Sequence, residues 1–158
     1  MTFRLRLGSV VRAALFGWIA GWLAGLPLQL LEAIRNAGFD TRLFGEMLTF
    51  SIALYALLTF AVASYWCCIF LLPAIWILSP ATILAHRITW TTLNALFGFA
   101  LMALRAHVWT SLEHDGVGLA NFWLWALFAS VFFAVTAEIY VRQIKKALAV
   151  STAVTSLS

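Results

Sequence analysis

The chain has 158 residues, of which 64% are hydrophobic and 10% charged, against roughly half apolar and a quarter charged in an average soluble domain; this points to a bilayer as its solvent. A spanning helix takes about 20 mostly apolar residues, so four spans with short connections consume nearly the whole length and leave no room for a separate soluble domain. The formal charge of +4 comes from ten basic residues scattered between apolar runs, with no continuous stripe to follow a phosphate backbone, so no nucleic acid partner is expected.

The first uncharged window, Ala13 to Leu31, follows Arg4, Arg6 and Arg12. It outruns the roughly 7–15-residue apolar core of a secretory signal peptide and shows no cleavage site, so it reads as a retained helix. Gly17, Gly21 and Gly25 form two overlapping GxxxG steps within it. In lipid, small residues four apart let helix backbones approach closely. The matching small stripe is Ala126, Ser130 and Ala134 on the last predicted helix. Packing between these two stripes is favoured over self-association or a membrane-protein partner docking on helix one. Trp18 and Trp22 sit too deep for an interfacial belt, so they either fill space beside the glycines or face a partner.

Residues 32–46 are polar, with Asn36-Ala37-Gly38 as a turn signal and Asp40 as an N-cap. From Met47 to Ala85 there is no charge, too long a run for one span. Pro73 is read as ending helix two, over 47–72. Ser79-Pro80, a capping residue followed by proline at the first helical position, is read as starting helix three, over 80–105. A five-span alternative turns at His86-Arg87 and leaves the termini on opposite sides. The adjacent Cys67 and Cys68 match no metal spacing and no disulfide framework, and are read as reduced thiols.

Helix three is the most polar span. Arg87, Thr91, Asn94, Gly98 and Arg105 fall near one face at helical spacing. Such a stripe could line a polar path or take a lipid headgroup or small solute. The favoured reading is structural, with Thr91 and Asn94 bonding across the bundle to Ser51, Tyr55 and Thr59 on helix two. In the next loop His107, Glu113, His114 and Asp115 follow no ligand spacing, and a solvated loop is preferred to a metal site. His86 and His107 sit near opposite faces, so they do not sandwich a haem.

The last span is predicted over 118–140, followed by Arg142, Lys145 and Lys146 and a tail, 147–158, read as disordered. Glu138 is the only acid within a predicted span. Its position four residues before Arg142 is the favourable order for a helical ion pair, a reading preferred to a proton carrier. Small multidrug exporters are also short and four-span, but they carry their essential acid in the first helix, where this chain has none.

Placing both termini in the cytoplasm puts Arg4, Arg6, Arg12, Arg87, Arg142, Lys145 and Lys146 inside and only Arg35, Arg42 and Arg105 outside, the sense of the positive-inside rule. The expected fold is therefore an all-α integral membrane four-helix bundle, one domain over 1–158 with both termini cytoplasmic, in a bacterial inner membrane. No catalytic, cofactor or metal constellation stands out, and the lipid bilayer is expected as a partner. The expected role is a non-catalytic subunit or accessory and assembly factor of a larger membrane complex, meeting a partner or itself through helix one. The alternatives are a small oligomeric transporter or channel, with a path along Arg87, Thr91, Asn94, Arg105 and Glu138, and an integral enzyme acting on lipid.

Overall fold

A computed structural model describes residues 3–37, 41–110 and 118–155, and every regular element among them is helical. The elements are α1 (Phe3–Ala37), α2 (Thr41–Trp66), a π-helical segment (Cys67–Leu71), α3 (Leu72–Ile77), α4 (Pro80–Ala85), α5 (Arg87–Thr110) and α6 (Gly118–Thr155). Three stretches of the described residues are long and apolar enough to cross a membrane: Arg6–Leu31, Leu48–Ile77 and Phe122–Val150. Helix α5 is a fourth long helix but is not among them. Its first turns carry Arg87, Thr89, Thr91, Thr92 and Asn94, which dilute its apolar content.

Helix α6 is the axis of the molecule. Of its apolar window 56% is buried, against 17% for the window in α1 and 22% for that in α2 and α3. Helices α1 and α5 pack directly on α6, and α2 packs on α1. Gly17 lies beside Thr136 and Phe132, Gly21 beside Phe128 and Gly25 beside Leu124, so α1 and α6 run antiparallel. Where α2 reaches toward α6, large rings fill the gap. Trp66 stacks on Phe133 at 5.4 Å and lies 6.0 Å from both Phe128 and Phe132. Phe70 meets Phe97 of α5 edge-on at 5.0 Å. Phe128, Phe132, Phe133 and Ile144 are fully buried.

Several predicted boundaries move. Pro73 does not end helix two. The π-helical segment precedes it, with the Leu72 amide reaching back to the Cys67 carbonyl, and this wider turn accommodates a ring that would otherwise crowd the preceding carbonyls. The helix stops instead at Leu78, whose backbone is extended (φ −89°, ψ 135°). Ser79 is also extended, as a residue before proline must be, and its hydroxyl accepts the Thr82 amide at 3.1 Å, the cap expected from the sequence.

The predicted third helix is not continuous over 80–105. It breaks at His86 (φ −116°, ψ 38°), which separates the six-residue α4 from α5, and Ile83 of α4 is buried under α6. The polar segment after the first span is shorter than its composition implied, because α1 continues to Ala37 and α2 begins at Thr41. The tail expected to be disordered from residue 147 is helical to Thr155, its Ala- and Leu-containing sequence extending a helix already nucleated by the buried turns before it.

Candidate functional site

The strongest polar constellation joins the start of α5 to the middle of α6. Arg87 donates from Nε to Glu138 Oε2 at 3.1 Å and from Nη2 to Oε1. Arg142, one turn further along α6, donates from Nε to Oε1 at 2.8 Å. The Glu138–Arg142 pair is the i,i+4 contact read from the sequence. The bidentate Arg87 contact spans 51 residues of chain and is the geometry that best suits a guanidinium on a carboxylate. All three side chains keep contact with the surroundings, at 49% exposure for Arg87, 67% for Arg142 and 23% for Glu138. One carboxylate between two guanidinium groups leaves the cluster with a net positive charge. Beside it opens a depression of about 760 Å³, lined by α4, the first turns of α5 and Glu138.

The other members of the predicted path are elsewhere. Asn94 turns back on its own helix, donating from Nδ2 to the Trp90 carbonyl at 2.8 Å. The Thr91 hydroxyl is enclosed and has no hydrogen-bond partner among the described residues. Arg105 holds its guanidinium 5.7 Å from the centre of the Trp125 ring, a cation–π distance. At 1.5 Å per residue, Arg105 lies about 27 Å along α5 from Arg87. The bonds expected from Thr91 and Asn94 to helix two are not made, because α5 lies on α6 and α2 on α1. Thr59 is instead spent on α1: its hydroxyl accepts Trp18 Nε1 at 3.1 Å and donates to the Tyr55 carbonyl at 2.7 Å. This gives deep Trp18 its role, with Phe60 meeting its ring edge-on at 5.3 Å.

The chain matches no known family model, curated protein or solved structure.

In the sequence Arg6 counts only as a topological charge, and the structure gives it a second use. Its Nη2 bonds the carbonyls of Ile75 and Leu78 (2.8 Å to the latter), while Nε points at the Tyr140 hydroxyl at 3.4 Å. These carbonyls are exposed where α3 ends. In a continuous helix the Ile75 carbonyl would take the Ser79 amide and the Leu78 carbonyl that of Thr82, but Ser79 is extended and the Thr82 amide is taken by the Ser79 hydroxyl. A cation at a helix C-terminus satisfies the orphan acceptors and complements the dipole. One arginine thus ties α1, α3 and α6 together. The only sequence signal was the helix stop at Ser79-Pro80, which implies carbonyls in need of a donor without saying which residue supplies it.

The glycine stripe of α1 faces α6, but not the predicted partners. A Cβ on Gly17 would run into Thr136 Oγ1 and come within 2.7 Å of the Phe132 carbonyl oxygen, and one on Gly21 would lie 2.8 Å from the Phe128 ring. Gly25 faces the Tyr55 hydroxyl and Leu124. The face of α6 used is therefore Leu124, Phe128, the Phe132 backbone and Thr136, with Thr136 seated over Gly17, the Phe128 ring over Gly21 and Leu124 over Gly25. Of the predicted stripe, Ala126 is buried while Ser130 and Ala134 are half-buried, and Ser130 lies with Ala129 against Gly98 of α5. Cys67 and Cys68 are free thiols. Among the described residues no group of three potential metal ligands occurs. The side chains of His107, Glu113, His114 and Asp115 lie outside the described residues.

Proposed function

We propose that the chain is a small polytopic protein of a bacterial inner membrane, with α5 as a fourth crossing and both termini in the cytoplasm. In this reading it acts as a non-catalytic subunit or accessory and assembly factor of a larger membrane complex. The observation that carries the reading is how the polar groups of the apolar helices are used. Arg6 holds the end of α3, Glu138 sits between Arg87 and Arg142, Thr59 holds Trp18, and Asn94 bonds its own helix. Polar side chains spent on joining helices, as Arg6, Arg87 and Thr59 are, or on their own helix, as Asn94 is, favour a scaffold over a carrier, in which intramembrane polar groups serve the path. The glycine face of α1 is taken up by α6, so a protein partner would meet the chain elsewhere. The long outer side of α2 and α3, where Leu57, Tyr65 and Trp76 are exposed, is the candidate.

A native gel of a mild-detergent extract tests this. The protein should migrate in an assembly containing a second polypeptide, and Leu57→Ala with Tyr65→Ala should release it at unchanged abundance. A particle of this chain alone that conducts solute in proteoliposomes would refute the subunit reading and favour the oligomeric transporter. Topology is checked separately in a background with Cys67 and Cys68 replaced by serine. An impermeant thiol reagent outside intact cells should label Gly45→Cys and not Lys146→Cys.

A further inference from the structure

We propose that the depression between the α4–α5 break and α6 is a binding site for the headgroup of an anionic phospholipid. The helix break makes the site. His86 donates to the Thr82 carbonyl and Trp90 to that of His86, while the amides of Arg87, Ile88 and Thr89 between them bond no backbone carbonyl among the described residues. These amides open a 24-residue helix, and the N-terminal end of a helix attracts anions. Side chains add to them. The depression is lined by Arg87 and by three threonines, Thr89, Thr91 and Thr92.

The charge has the right sign. Glu138 is also on the wall, but it is held by two arginines, so the cluster is net positive. Exposed Lys145 and Lys146 follow on α6.

The shape selects a lipid over a free phosphate. One wall is apolar, with Leu84 and Ala85, and Ile88 at its edge is 82% exposed. A branched aliphatic side chain that far out beside an arginine suits acyl chains running past Ile88 while the phosphate meets Arg87. Trp76 of α3, which precedes α4 in sequence, is also strongly exposed, and tryptophan is the residue type that settles at the headgroup level of a bilayer.

The test uses the delipidated full chain in neutral detergent, titrated with dioleoyl phosphatidylglycerol or dioleoyl phosphatidylcholine and read by native mass spectrometry. Phosphatidylglycerol should bind in preference to phosphatidylcholine. Arg87→Gln should weaken its binding about fivefold, the loss expected for one cation near an anionic headgroup. Glu138→Gln should tighten it, because both arginines are then released toward the phosphate. Arg87→Lys, which keeps the charge, should bind nearly as wild type and controls for folding. Equal binding of the two lipids, or a folded Arg87→Gln protein with wild-type affinity, would overturn the site. Displacement of the lipid by millimolar inorganic phosphate would overturn the lipid assignment in favour of a soluble phosphate ligand.

Discussion

Gly98→Ala is the sharpest test of the packing, because the atoms it would strike are backbone and cannot rotate away. A Cβ at this position would lie 2.5 Å from the Ala129 carbonyl oxygen, 2.7 Å from the carbonyl carbon and 2.9 Å from the Ser130 nitrogen. The first distance is about 0.9 Å short of the 3.4 Å at which such a contact becomes ordinary, so α5 must shift bodily away from α6. Overpacking of this kind costs about 1–3 kcal/mol. Alanine recovers about 1 kcal/mol of that through helix propensity, leaving a net loss of up to about 2 kcal/mol, and a gap of about 1–3 kcal/mol to an alanine placed where there is room. The neighbouring Phe97–Phe133 contact, at 5.2 Å between ring centres, should open with it. Gly45→Ala is the control: it is helical, and its Cβ would meet nothing within 4 Å, so only the propensity gain remains. The assay is thermal unfolding in one detergent, followed by reaction of Cys67 and Cys68 with a thiol-reactive dye. Gly98→Ala should lower the midpoint while Gly45→Ala holds or raises it. A Gly98→Ala protein as stable as Gly45→Ala would refute the close approach of α5 to α6.

Arg6→Gln should destabilise by about 1.5–3 kcal/mol, since it removes charge-assisted bonds to carbonyls that have no other donor; Tyr140→Phe, which loses only the long 3.4 Å contact, should shift the same unfolding midpoint much less. Thr59→Val should cost about 0.6 kcal/mol, the usual scale of an interhelical side-chain bond in a membrane, and should alter the emission of Trp18 in a variant whose other tryptophans are replaced by phenylalanine. Asn94→Leu should leave both abundance and cellular phenotype near wild type, because the side chain bonds its own helix; lost phenotype at normal abundance would favour the transporter. Arg142→Ala should matter less to stability than Arg87→Ala, because the former removes a contact within one helix and the latter one that joins α5 to α6.

Much of this protein could be read from its order of residues because the governing terms are local. A bilayer leaves no water for backbone groups, so long uncharged runs must be helices, and the windows after Arg12 and before Arg142 were legible for that reason. Ser79-Pro80 was equally legible, since a cap hydroxyl and a fixed φ act within one turn. Pro73 misled because a proline inside a helix can be absorbed by a π turn, and nothing in Cys67 to Leu71 announces one. What the tertiary structure alone decided is which faces meet. Apolar attraction does not rank helix faces against one another in lipid, so the glycines of α1 could have met either the small stripe of α6 or its large one. Steric fit selected the face of Phe128 and Thr136, whose side chains need the holes that Gly21 and Gly17 leave. The same holds for charge: Glu138 has a visible partner four residues away, but Arg87, 51 residues distant, and Arg6, which reaches Tyr140 across 134 residues, find theirs only when the helices are stacked in this order.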